Sequence, residues 1–197
     1  MNLVFFPVYV ALLHYPIRNR EGKLVTTAVT NMDIHDISRS ARTFGVTEYF
    51  LVTPLEPQQQ MVGRILDHWR TEKSRQYHPD RFEALERVRL VANFENVKDA
   101  IRTVHGQDPE VVMTDASPFP NSISYADYRR ELEERKDSGV TKPLLLVFGT
   151  GWGIAETFYP EVHRILAPVY GPEGHGGYNH LSVRSAVAII LDRLFGL

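Results

Sequence analysis

A chain of 197 residues is long enough to bury one substantial hydrophobic core. Its hydrophobic share of 43% and charged share of 23% are those of an ordinary globular protein, and a formal charge of −2 supplies no overall basic field for nucleic acid, so such a partner would be met by a local patch. Cysteine is absent, which excludes disulfides and thiolate chemistry, and no apolar run reaches the ~20 residues a membrane span needs.

The opening MNLVFFPVYVALLHYPI lacks a basic leader and a small-residue cleavage signal. It is therefore expected to enter a buried strand and not to act as a signal peptide. Val8 to His14 is short, nearly all apolar and rich in β-branched and aromatic residues, as a strand buried on both faces would be. Asn19 to Lys23 is polar around Gly22 and reads as a turn, with Leu24 to Val29 a short extended piece. Thr30 or Asn31 can cap a helix in which Ile34, Ile37, Ala41 and Phe44 form an apolar stripe, and Gly45 stops it. Tyr49 to Thr53 is the next strand, so the chain begins β–α–β, a unit that implies a parallel crossover.

Met61, Ile65, Leu66 and Trp69 recur at helical spacing within a helix expected over Glu56 to Tyr77. Pro79 breaks it, and another turn or two follows around Phe82, Leu85 and Val88. Arg89 to Phe94 is strand-like, Asn96 to His105 a short amphipathic helix ended by Gly106, and Val111 to Thr114 another strand. Ser124 caps a helix with many opposite charges at i,i+4 spacing. The last quarter runs strand, glycine loop, short helix around Ala155 to His163, strand, longer glycine loop and apolar helix. About six parallel-type strands separated by helices, without repeat or linker, give one doubly wound α/β domain over residues 1–197, with ligand binding expected at strand C-termini.

Two loops carry the functional signal. Gly149-Thr150-Gly151-Trp152-Gly153 contains G-x-G but no third glycine at dinucleotide spacing, and no Walker lysine occurs anywhere. Gly171 to Ser182 holds four glycines within seven positions, more than a turn requires, between two apolar elements. Glycines of this kind let backbone groups approach a ligand closely. The histidines form no metal box, and no G-x-S-x-G elbow is present, so neither structural zinc nor a serine hydrolase is supported. Arg70, Lys73, Arg75, Arg81, Arg87 and Arg89 make residues 64–89 locally basic, equally well a phosphate-facing surface or a solvated helix.

Taken in order, these segments resemble the SPOUT superfamily of S-adenosylmethionine-dependent RNA methyltransferases, nearest to a bacterial, stand-alone TrmD-like group. Arg39 stands six residues before Gly45 in DISRSARTFGV, as the arginine of the ribose-methylating branch does, while Asp33 occupies the place of that branch's asparagine. LLLVFGTGWG matches the second motif, and His180-Leu181-Ser182-Val183-Arg184 resembles the third, closer to the guanine-methylating branch.

The resemblance implies an α/β fold whose C-terminal segment forms a trefoil knot, a homodimer, a cytoplasmic location and tRNA or rRNA as substrate, with base or ribose left open. It implies that S-adenosylmethionine binds between the loops, against Gly149, Thr150, Gly151, Leu166, Ala167, Pro168, Val169, Tyr178 and Leu181, with Asp115, Ala116 and Ser117 lining the same pocket. Arg39 is the first candidate for substrate positioning, in an electrostatic role because an arginine is so weak an acid. Asp36, Asn179, His180 and Arg184 are weaker candidates. A non-catalytic RNA-binding or assembly protein, or a small-molecule methyltransferase, are the alternatives.

Overall fold

A computed structural model describes residues 6–173 and 178–197. Six parallel strands form the main sheet: β1 (Val8–Leu13), β4 (Glu48–Val52), β5 (Val88–Val91), β6 (Glu110–Met113), β7 (Leu144–Phe148) and β8 (Arg164–Ile165), in the spatial order β5-β4-β1-β7-β6-β8. β2 (Ile17–Arg18) and β3 (Leu24–Val25) pair antiparallel as a small hairpin outside it. The helices are α1 (Asn31–Thr43), α2 (Glu56–Trp69), α3 (Glu72–Tyr77), α4 (Pro79–Glu86), α5 (Phe94–His105), α6 (Tyr125–Asp137) and α7 (Val183–Phe195), with a 3-10 turn at Glu156–Glu161.

The alternation of side chains along buried strands divides the core in two. Val8, Val10 and Leu12 of β1 join Leu144, Leu146 and Phe148 of β7 under α1, α2, α4, α6 and α7. Tyr9, Ala11 and Leu13 join Leu145 and Val147 on the opposite face, under α5, Ile154 and Phe158. Helices therefore cover both faces, as the near-continuous apolar runs of the central strands require. Strand order is what makes the site. The chain moves outward from β1 through β4 to β5, crosses to β6, and then inserts β7 between β1 and β6. Because all three run parallel, the segments that follow them meet at one edge.

Several expectations are corrected. Glu56 to Tyr77 is two helices: α2 ends at Trp69, and Thr71 caps α3 by accepting from the Ser74 amide at 3.2 Å. Strand β5 stops at Val91, since Asn93 caps α5 and Phe94 already belongs to that helix. The last strand is only Arg164–Ile165, and the short helix before it is a 3-10 turn. The basic stretch is largely consumed by the fold. Arg70 donates to the carbonyls of Leu85 and Val88, Arg87 donates to Val46 O at 2.9 Å, and Arg89 lies 3.7 Å from Glu48. Among the described residues no helix is long and apolar enough to cross a membrane, and no metal-holding cluster occurs.

Candidate cofactor and substrate site

At the C-terminal edge of β1, β6 and β7 lies a cavity of about 520 Å³. Its walls are Thr114 to Ser117 after β6, Phe148 to Gly153 after β7, Val169, Asn179 to Leu181, and one stripe of α7. That stripe is Val183, Ala186 and Ile190, while Val187, Leu191 and Leu194 point into the core from the same helix. The volume is that of a pocket for a nucleoside-sized ligand, apolar with a few polar groups.

The first glycine loop is built from inside. A Cβ on Gly149 would lie 2.6 Å from Ile154 Cγ1, and one on Gly151 (φ +57°) would lie 3.2 Å from both Ile17 and Thr27. Close packing against neighbouring side chains, and not only against a ligand, thus excludes larger residues here. The β2–β3 hairpin straps this loop down. Arg18 N donates to Gly153 O at 2.9 Å, and Trp152 N donates to Arg18 O at 3.3 Å.

Beneath the loop is a buried polar chain. Thr150 donates its hydroxyl to Leu13 O at 3.1 Å, Thr27 and Thr150 share a hydroxyl–hydroxyl bond, and Thr27 Oγ1 lies 3.0 Å from His14 Nδ1. Each hydroxyl has one hydrogen. If Thr150 gives its own to Leu13, Thr27 must give its own to Thr150, and His14 must donate from Nδ1. Nε2 of His14 is then a bare acceptor, and it has no partner among the described residues. A second proton there would enter a dry site, so burial lowers the His14 pKa to about 4, against the opposing field of Asp33.

The second loop is anchored at its far end. Ser182 caps α7, and Arg184 in the first turn reaches Asp33 at 3.0 Å and Asp36 at 3.4 Å. Asp33 also closes a capping box with Thr30 at the start of α1. Asn179 donates to Ala116 O at 2.7 Å, tying the loop to the segment after β6.

Of the residues expected at the cofactor, Asp115, Ala116, Ser117, Gly149, Thr150, Gly151, Val169 and Leu181 come together on the cavity wall. Leu166, Ala167 and Pro168 do not line it: Leu166 is a core residue, and Ala167 N donates to Ile123 O at 2.8 Å. Tyr178 is exposed and packs its ring against His180. Gly174, His175, Gly176 and Gly177 of the second loop lie outside the described residues. Arg39 is exposed on α1 and does not line the cavity. Asp36 and Arg184 pair with each other, whereas Asn179 and His180 are wall residues.

Thr114, Phe148, Trp152, Gly153, Val183, Ala186 and Ile190 also line the cavity and were not anticipated. The spacing of Val183, Ala186 and Ile190 was the available signal, hidden because α7 is apolar on both sides.

Comparison with known proteins agrees with this geometry. A family described as "SAM-dependent RNA methyltransferase" matches residues 7–196. A protein of Aquifex aeolicus with no assigned function is 41% identical over 188 residues, covering 95% of this chain and 88% of that one. A protein of Nitratidesulfovibrio vulgaris named tRNA (guanine-N(1)-)-methyltransferase is 42% identical over 189 residues, 96% of this chain. The chain spans only 42% of that relative's length. Among solved structures, a probable methyltransferase from Bordetella pertussis Tohama I superposes with a TM-score of 0.62 over 96% of this chain and 93% of its own, at 15% identity, a likeness of fold. The same architecture is found in SPOUT methyltransferases of known structure. With a matching family over nearly its whole length, the chain belongs to the S-adenosylmethionine-dependent RNA methyltransferases.

Proposed function

We propose that the cavity between β1, β6 and β7 holds S-adenosylmethionine and that the methyl group goes to a nucleotide of tRNA or rRNA in the cytoplasm. The observation that carries this is the cavity itself: apolar walls from Phe148, Val169, Leu181, Val183 and Ile190, closed by a glycine loop whose backbone is fixed from beneath. Such a wall fits adenine and ribose, which need apolar cover and a few directed hydrogen bonds. Gly149, Thr150 and Gly151 would hold the cofactor through backbone groups, with Asp115, Ala116 and Ser117 opposite. When bound, the cofactor supplies an electrophilic sulfonium methyl. The chain's part is to align the acceptor and, where the acceptor carries a proton, to receive it. Asp115 and His180 are the titratable side chains of the wall.

Arg39 has no place at this cavity in its own protomer, so the electrostatic role proposed for it requires a second copy whose α1 faces the site. A homodimer in that arrangement is therefore part of the proposal. The segment after β8 lies against the loop after β6 through Leu166 N to Met113 O, Ala167 N to Ile123 O and Asn179 to Ala116 O. Those contacts support the trefoil knot expected of SPOUT chains. The guanine-N1 specificity named for the longer relative is not carried over, because this chain spans less than half of it.

Calorimetry with S-adenosylmethionine and S-adenosylhomocysteine, followed by labelled-methyl transfer to RNA from cells lacking the gene, tests the reading. Binding in the micromolar range and label in RNA are expected. No heat at millimolar ligand, or label only in the small-metabolite fraction, would defeat it.

A further inference from the structure

We infer that Arg18 and Trp152 form the landing site for the target nucleotide, the guanidinium taking its phosphate and the indole stacking on its base. The inference rests on reading the adjoining cavity as the cofactor site.

Trp152 is 61% exposed at the cavity mouth, and its ring makes no aromatic contact among the described residues. An exposed aromatic face at the mouth of a pocket read as a site of methyl transfer to RNA is a platform on which a base can stack, worth ~1–3 kcal/mol per base. The hairpin supplies the charge. Arg18 is half-buried and its Nε is enclosed, yet its side chain makes no hydrogen bond or ion pair among the described residues. Other half-buried arginines spend donors within the fold, as Arg87, Arg129 and Arg135 do on carbonyls. An arginine held in place with its donors unspent is prepared for an anion from outside.

The backbones that carry the two side chains are fixed relative to one another. The backbone bonds Arg18 N to Gly153 O and Trp152 N to Arg18 O lock the hairpin to the glycine loop. A Cβ on Gly153 (φ +98°) would meet Arg18 Nη2 at 3.1 Å and Asp115 Oδ2 at 3.0 Å. Gly153 therefore keeps open the space between a cation at the rim and the carboxylate in the wall, which are not within ion-pairing distance of each other. Arg20 is exposed in the hairpin turn two residues on, so the strap presents two cations, unpaired among the described residues, to a backbone that approaches from this side. A nucleotide entering here would have its phosphate at the hairpin and its base over Trp152, facing the cavity.

Trp69 and Trp152 are the chain's two tryptophans, so W69F leaves Trp152 as the sole reporter. RNA from cells lacking the gene is titrated into W69F holding S-adenosylhomocysteine, with excitation at the indole edge. Saturable quenching is expected. R18A should raise the midpoint about tenfold and lessen the salt slope of binding by roughly one phosphate contact, while its affinity for S-adenosylhomocysteine stays within twofold. R18K should recover part of the midpoint. An indole that RNA leaves unquenched, an indole that responds to protein concentration and not to RNA, or an R18A protein with unchanged RNA midpoint and salt slope overturns the assignment. Loss of S-adenosylhomocysteine binding by the unaltered protein is a different result, and it would remove the cofactor reading instead.

Discussion

The two glycine-rich loops are alike in composition and are held by different means. Gly149 to Gly153 sits on a buried hydrogen-bond chain, packs against Ile154, Ile17 and Thr27, and is strapped by the β2–β3 hairpin. In the second loop, nothing among the described residues lies within 4 Å of a Cβ placed on Gly171, and the described side chains from Tyr178 to Leu181 have one hydrogen bond to the rest of the fold, Asn179 to Ala116. One loop is shaped before any ligand arrives; the described end of the other is fixed where Arg184 meets Asp33 and Asp36. The cavity thus combines a rigid floor with a wall whose described residues make few contacts with the rest of the fold. Rigidity in the floor lowers the entropy lost on binding.

The floor's dependence on a neutral imidazole gives the largest expected effect. His14 takes up a proton near pH 6.5 when unfolded and only at about 4 when folded. Below pH 6.5 the unfolded state binds more protons, so this contribution is complete above pH 6.5, falls as the pH drops, and levels off near pH 4. The loss amounts to at most about 3 kcal/mol. Denaturant unfolding at pH 7 and pH 4.5 should show it as a difference between the unaltered protein and H14N, whose amide can still donate to Thr27 but has nothing to protonate. Equal pH slopes in the two proteins would mean that His14 is not the dry, neutral donor its surroundings describe.

The next effect separates the loops directly. G149A drives a methyl group against Ile154, and overpacking of this kind costs about 1–3 kcal/mol. Affinity for S-adenosylhomocysteine should fall at least tenfold, and G149A/I154A should recover part of it. G171A meets nothing within 4 Å among the described residues, and Gly171 is not among the glycines with positive φ, so its affinity should stay within twofold. If both substitutions had the same effect, the contrast between a packed floor and a lightly held wall would be wrong.

Much of this architecture was legible because it follows from periodicity and caps. The stripe Ile34, Ile37, Ala41 and the cap at Thr30 mark α1 to within a residue, and Ser124 and Gly106 mark the start of α6 and the end of α5. What escaped has physical reasons. Strands of two residues, such as Ile17–Arg18 and Leu24–Val25, are too short to show alternation, so the strap over the first loop was invisible. The break between α2 and α3 was written in Thr71 and Ser74, but a charged helical pattern on both sides masked it. Sequence also cannot distinguish a solvated arginine from Arg70 or Arg87, which spend their donors on carbonyls. Glycine content pointed to two loops whose described residues line the cavity. It could not show that Gly149 is required by Ile154, or that Thr150 stands on His14 through Thr27.

The smallest expected effect concerns the wall. Asn179 is half-buried, and its side-chain amide donates to Ala116 O at 2.7 Å across the cavity rim. A neutral hydrogen bond of this kind contributes about 1 kcal/mol net, so N179A should weaken S-adenosylhomocysteine binding about fivefold. Because the bond is already made in the unliganded fold, its removal should also lower stability, by no more than that ~1 kcal/mol. N179D replaces the donor with a carboxylate facing the Ala116 carbonyl, and repulsion there should weaken binding further than N179A does at pH 7. The ordering matters more than either magnitude. If the amide positions the wall, affinity falls in the series asparagine, alanine, aspartate. If N179A binds as tightly as the unaltered protein, the second loop reaches its place without this tether, and the stripe of Val183, Ala186 and Ile190 on α7 must set the wall instead.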